Sequence, residues 1–226
     1  MQKLKTAILV LAGGLGFALI YLLAKTTGRY SLASFLAVGI LLALCFAGTD
    51  RSRNSAKEIV LIAVLAAVAS VGRVIFASLP FFKPVSAVVI IAGCALGKRS
   101  GFLVGATVTI VSNMFFGQGP WTFWQILCWG GMGFLSGLLA PLISKRPAIL
   151  IPYGFIVSYL FGVVMNVYHT VTFLTPTWGA FLAACAASFI PDLIHGASTV
   201  LFLLLAGISW IAKIERVKGK MEAVDS

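Results

Sequence analysis

A chain of 226 residues that is 60% hydrophobic, with a mean hydropathy of +1.05, carries only 10% charged residues. Soluble domains carry about 25%, so a soluble fold is excluded and helix-length apolar runs make the chain an all-α integral membrane protein, because backbone in lipid must bond to itself. The 17 basic and 6 acidic residues give a net charge of +11. The cations flank apolar spans, which reads as topology signal and lipid-headgroup contact and not as a nucleic-acid surface.

Residues 6–24 form the first expected span; the run is long and lacks an evident small-residue cleavage site, so a retained helix is expected over a signal peptide. Residues 31–48 form a second. The polar break from Gly48 to Lys57 divides the chain into a two-helix membrane extension, 1–50, and a core with a basic tail, 51–226. The core opens with a span from Glu58 to Leu79. Inside it Ala63 and Ala67, four residues apart, stack on one helix face. Such a small-residue ridge suits close helix contact in lipid, with a partner or within the bundle. Arg73, near the far end of that span, needs a partner, a cavity or the interface.

Two prolines break the chain between Leu79 and Pro84, beside Lys83. A short apolar segment, 85–96, is barely long enough to cross a bilayer. After the basic turn at Lys98 and Arg99, spans are expected over 101–116, 121–143 and 149–173. A small-residue segment over 180–189 reads as half-inserted. Pro191 then starts a last helix, to Ile211, with Asp192 in its first turn, where the helix dipole favours a carboxylate. The basic residues Lys213, Arg216, Lys218 and Lys220 follow.

With the N-terminus inside and eight alternating crossings, 13 of the 17 basic residues fall on the cytoplasmic side, leaving Lys25, Arg29, Arg73 and Lys83. This obeys the positive-inside rule and places both termini in the cytoplasm of a multi-pass plasma-membrane protein. The polar groups of the spans then gather in the outer half: Arg73, Lys83, Asn113, Gln118, Trp121, Trp124, Gln125, Asn166, Tyr168, His169, Asp192 and His195. Lipid-adverse groups that converge with aromatics mark a ligand site open to the exterior. The stretch from Ser112 to Gly130 concentrates them around a Gly117-Gln-Gly-Pro120 turn, although an interfacial aromatic belt accounts for its tryptophans taken singly. The four cysteines lie in apolar runs without metal-ligand spacing and read as small hydrophobes, not as a disulfide framework.

No catalytic motif is present, so an enzyme is not expected, and no metal or intrinsic cofactor is called for. The run Gly93 to Arg99 has three residues between its glycines where a phosphate-binding loop has four, and Arg99 stands where a magnesium-binding hydroxyl is needed. Any uphill transport therefore needs work from a partner.

The core from Ala56 to Lys213, about 70% of the chain, resembles the substrate-binding S component of energy-coupling factor (ECF) vitamin transporters. The residues that carry this are the Ala63-x-x-x-Ala67 ridge, the proline-broken loop from Leu79 to Pro84, a six-helix core with both ends cytoplasmic, and the stretch from Phe115 to Gln125. That stretch is similar to the cobalamin-specific members. The resemblance implies capture of vitamin B12, and of its precursor cobinamide, from outside. It implies docking through the Ala63 and Ala67 helix on a transmembrane coupling subunit joined to two cytoplasmic ATPase subunits, and toppling of the S component to deliver the ligand. Arg73 or Lys83 would meet the nucleotide-loop phosphate. The alternatives are an S component for another vitamin or nucleobase-like solute, and a membrane scaffold that moves no solute.

Overall fold

The computed structural model describes residues 56–223, together with residues 19, 22, 26–29, 32, 36 and 40 ahead of them. The expected spans 6–24 and 31–48 thus lie largely outside the described residues. From residue 56 the chain is helical: α1 is Ala56–Ile75, followed by a 3-10 turn Phe76–Ser78; α2 is Val85–Leu96; α3 is Lys98–Phe116; α4 is Trp121–Ile143; α5 is Pro147–Phe173; α6 is Trp178–Ala187; and α7 is Phe189–Ala223. Among the described residues four segments are long and apolar enough to cross a membrane, Lys57–Ser78, Trp121–Ile143, Pro147–Phe173 and Phe189–Met221.

The bundle is organised around a short central helix, α2. All twelve residues of α2 are buried, and α2 packs against each of α1, α3, α4, α5 and α7. At 1.5 Å per residue it is about 18 Å long, well short of the roughly 30 Å hydrocarbon core. It is continuously apolar because it faces protein on every side. Glycine lets its neighbours come close. A Cβ on Gly101 of α3 would meet the backbone of Gly133 of α4 and of Gly93 of α2. The three backbones are therefore in direct contact, as small residues permit where lipid supplies no hydrophobic drive between helices.

Two elements differ from the sequence expectation. α4 is not one regular helix: Ile126–Gly130 forms a π turn. A π turn inserts an extra residue and rotates the side chains that follow. Trp129 lies within it and is almost wholly buried. The backbone of Trp129 also lies against Gly105 of α3, where a Cβ would collide. α7, in turn, runs 35 residues to Ala223, well past the expected end at Ile211. At about 50 Å it overhangs the apolar layer, and it carries the basic tail as helix. The overhang is tied to the bundle: Lys218 donates to the Leu96 carbonyl (3.4 Å) and Lys57 to the Met221 carbonyl (2.9 Å). Among the described residues Cys94, Cys128 and Cys185 are free thiols; Cys45 lies outside them.

Candidate ligand-binding site

The ends of α1, α3 and α5 and the starts of α2, α4 and α7 share one end of the bundle. The basic turns at Lys98 and Lys145, with the tail of α7, occupy the other. At the first end lies a cavity of about 460 Å³. That volume is in the range of drug-sized ligand sites, about 300–1,000 Å³. Its walls come from the loop after α1 (Phe81, Lys83), the π turn of α4 (Trp129), the second half of α5 (Phe161, Gly162, Met165, Asn166, His169), α6 (Ala184, Ala187), Ser188 and the start of α7 (Pro191, Asp192, His195).

The loop is held from both sides. Phe76, Phe82 and Phe202 form a three-ring cluster with centroids 5.5–5.7 Å apart. Ser198 Oγ receives the Lys83 N–H at 3.5 Å and donates to the Lys83 carbonyl at 3.3 Å. Between these anchors Phe81 adopts φ +63°, a left-handed conformation that a bulky residue rarely takes. Such strain persists only where the surroundings impose it, and it gathers at ligand sites. Lys83 lies in this loop, outside the spans. Burial, and then the nearby Arg73 charge, bring its ammonium down to about 8.

The floor is aromatic and cross-braced. Trp129 and Phe161 pack with centroids 4.7 Å apart, and Phe161 meets the His195 ring edge-on at 5.1 Å. The Trp129 indole N–H donates to Ser86 Oγ (3.2 Å), and Ser86 Oγ is 2.8 Å from His195 Nε2. Ser86 Oγ, with two lone pairs and one proton, accepts from Trp129 and shares its second hydrogen bond with Nε2, as donor or acceptor according to the His195 tautomer. Directed polar groups above an aromatic floor suit a flat ring with hydrogen-bonding edges.

On the opposite wall a chain of donors ends at a carboxylate. Asn166 Nδ2 donates to Ser188 Oγ at 2.7 Å, and Ser188 Oγ donates to Asp192 Oδ2 at 2.7 Å. Asp192 is buried in the apolar layer, against Gly162 of α5.

Of the residues expected from sequence, the cavity brings together Lys83, Asn166, His169, Asp192 and His195. Arg73, Asn113, Gln118, Trp121, Trp124, Gln125 and Tyr168 do not line it. Arg73 is buried behind Trp129. Its Nη1 donates to Ser112 Oγ (2.5 Å) and Asn113 Oδ1 (2.8 Å), and its guanidinium lies over Phe116 and Trp129, 4.6 and 5.0 Å from the ring centroids. Asn113 Nδ2 in turn donates to Gln125 Oε1 at 2.8 Å and Thr122 Oγ1 at 3.1 Å. Gln118 donates to the Ile110 carbonyl at 2.8 Å and accepts from Thr122. These amides satisfy one another. Trp124 and Tyr168 form a separate apolar cluster that Trp121 packs against. Phe161, Gly162 and Ser188 are among the wall residues that sequence reasoning did not select, and Trp129 lay within the 112–130 stretch it singled out. Trp129 differs from its neighbours Trp121 and Trp124 only in lying beyond the start of the π turn.

The sequence pattern of the family described as "ECF-type riboflavin transporter, S component" matches residues 53–208. Three curated relatives are "UPF0397" proteins: one of Aliivibrio salmonicida, 37% identical over 97 residues, one of Aliivibrio fischeri, 36%, and one of Vibrio atlanticus, 35%. Each alignment covers 41% of this chain and 52% of the relative, so the chain spans about half the length of the curated relatives it matches. No solved structure matches. With well over half of its length matched by that pattern, on a helical bundle with one end hollowed, the chain belongs to the ECF-type riboflavin transporter S-component family.

Proposed function

We propose that this chain is the substrate-binding subunit of an ECF-type importer in the plasma membrane, and that its cavity captures a flat vitamin of flavin size from the exterior. One observation carries the reading: an opening of about 460 Å³ whose floor is Trp129 and Phe161 and whose walls carry Lys83, Asn166 and Asp192. Stacking surface below and donors and acceptors at the sides are what an isoalloxazine ring requires. The positive-inside bias of the sequence supports a cavity open to the exterior with both termini in the cytoplasm. Chemical work comes from two partner ATPase subunits through a transmembrane coupling subunit. The contact with that subunit is the outward face of α1, where Ala63 and Ala67 are exposed among Val60, Val64, Val68 and Val71.

Cobalamin is the second ligand to test, because the stretch from Phe115 to Gln125 is similar to the cobalamin-specific members. Its tryptophans and amides pack away from the cavity, and a corrin with its side chains and nucleotide loop is a far larger body than a flavin. Corrin binding would require the loop from Leu79 to Pro84, or α6, to swing outward.

The test is a titration of the detergent-purified chain with riboflavin, cobalamin and cobinamide. Riboflavin is expected to bind at one per chain with its fluorescence quenched against Trp129, and the corrinoids are expected not to compete. A retained red chromophore with no flavin binding would reverse the assignment in favour of cobalamin. Failure of a wider vitamin panel to bind at all would leave the scaffold reading.

A further inference from the structure

Asp192 is a carboxylate with an unfinished set of partners. It is 8% exposed, within a segment apolar enough to cross a membrane. Its Oδ2 takes the hydrogen bond from Ser188, which Asn166 holds in place. Among the described residues no cation lies within ion-pairing distance of it, and no protein donor reaches Oδ1. A carboxylate in the apolar layer that lacks part of its hydrogen bonding is expensive, and a functional partner is its usual explanation.

The position is also built. A Cβ on Gly162 would overlap the Asp192 carboxylate, Oδ1 first. Glycine at 162 leaves the room that the Asp192 carboxylate occupies in this rotamer, between α5 and the start of α7. Ser188 and Asn166 then fix its rotation. Asp192, Gly162, Asn166 and Ser188 all line the cavity. Lys83, a strong donor, lines the same cavity without reaching Asp192.

We infer that Asp192 is the specificity-determining residue of the cavity, and that it accepts a hydrogen bond from a ring N–H flanked by carbonyls, a cyclic imide edge, while Lys83 donates to one of those carbonyls. This rests on the flat-vitamin reading above and adds the edge by which the ring is recognised. A flavin presents such an edge at N3, and a ring without an N–H there leaves Asp192 unpaired.

The test pairs two ligands with two proteins. Riboflavin and its N3-methyl derivative are titrated against the wild-type chain and Asp192→Ala in detergent. Methylation is expected to weaken binding to the wild type by at least about tenfold, as loss of a hydrogen bond to a buried charged group does. In Asp192→Ala the two ligands are expected to bind within about twofold of each other, because the coupling belongs to that one pair. An equal methylation penalty in both proteins would overturn the assignment and leave the flavin reading standing. Tight binding of the N3-methyl compound to the wild type would do the same, without reliance on any variant's folding. A wild-type chain that binds no flavin would overturn the flavin reading, and this inference with it.

Discussion

At the scale of single residues, Lys83 makes a prediction whose sign can be worked out. Its ammonium titrates near 8, below the ordinary lysine range, because burial and the Arg73 charge disfavour the protonated form. Below that pH the cation is present and donates strongly to a ligand carbonyl; above it the amine is a weaker donor. Flavin affinity is expected to fall as pH rises from about 7 to about 9. Lys83→Met should bind more weakly and lose that limb, and Lys83→Arg should bind without it, since arginine keeps its charge throughout. Asp192 and His195 share the cavity, so a limb that survives in Lys83→Met would assign the titration to one of them. The five cavity residues legible in the sequence were the ones lipid tolerates badly: Lys83, Asn166, His169, Asp192 and His195. Trp129, Phe161 and Gly162 carried no such mark among 17 phenylalanines and 23 glycines. The amides of 113–125 misdirected attention for a related reason. A cluster of polar groups near a turn reads the same whether it faces a ligand or satisfies itself, and Asn113, Gln118, Thr122 and Gln125 bond among themselves.

At the scale of elements, composition and turn residues marked where each core helix breaks, because the basic turns and prolines are explicit. What they did not disclose was that α2 is the hub. Its signal was present, since Gly93, Gly97, Gly101 and Gly105 recur every four residues and Gly133 and Gly137 are four apart, but such spacing does not name its partner. The π turn had no sequence signal beyond the Gly130-Gly131 pair at its end. These contacts predict an asymmetry between glycines. Gly101→Val would drive side-chain atoms into the backbones of Gly133 and Gly93. Overpacking of this kind costs about 1–3 kcal/mol, and backbone cannot move aside as a side chain can. Its thermal unfolding midpoint in detergent should fall well below wild type. Gly131→Ala, in the same helix as Gly133 but with nothing near its added Cβ, should match or exceed wild type, as alanine favours helix over glycine. Equal loss in both variants would mean the close approach is not what stabilises the bundle.

At the scale of the whole molecule, the proposed ligand cavity and the proposed partner face lie on different surfaces. The cavity draws on the loop after α1, the π turn of α4, the second half of α5, α6 and the start of α7. The stripe of α1 formed by Val60, Ala63, Val64, Ala67, Val68 and Val71 points away from the bundle, while Ile62, Leu65, Ala66, Ala69, Ser70 and Arg73 point into it. One helix thus presents a small-residue face outward and, through Arg73, braces Trp129 from behind. A detachable contact in lipid needs close backbone approach without interlocked side chains, which alanine at four-residue spacing supplies. Ala67→Leu adds bulk on that outward face and removes nothing from the cavity. The variant is expected to bind flavin within about twofold of wild type in detergent, since no wall residue has changed. It should fail to co-purify with the coupling subunit, and ATP-driven uptake into proteoliposomes should fall at least about tenfold, because a leucine there holds the backbones apart. Ala63→Leu should behave alike, being one helical turn away on the same face. Assembly and uptake at wild-type levels in both variants would place the contact on another surface, and loss of flavin binding along with assembly would show that α1 cannot be altered on one face without disturbing the other.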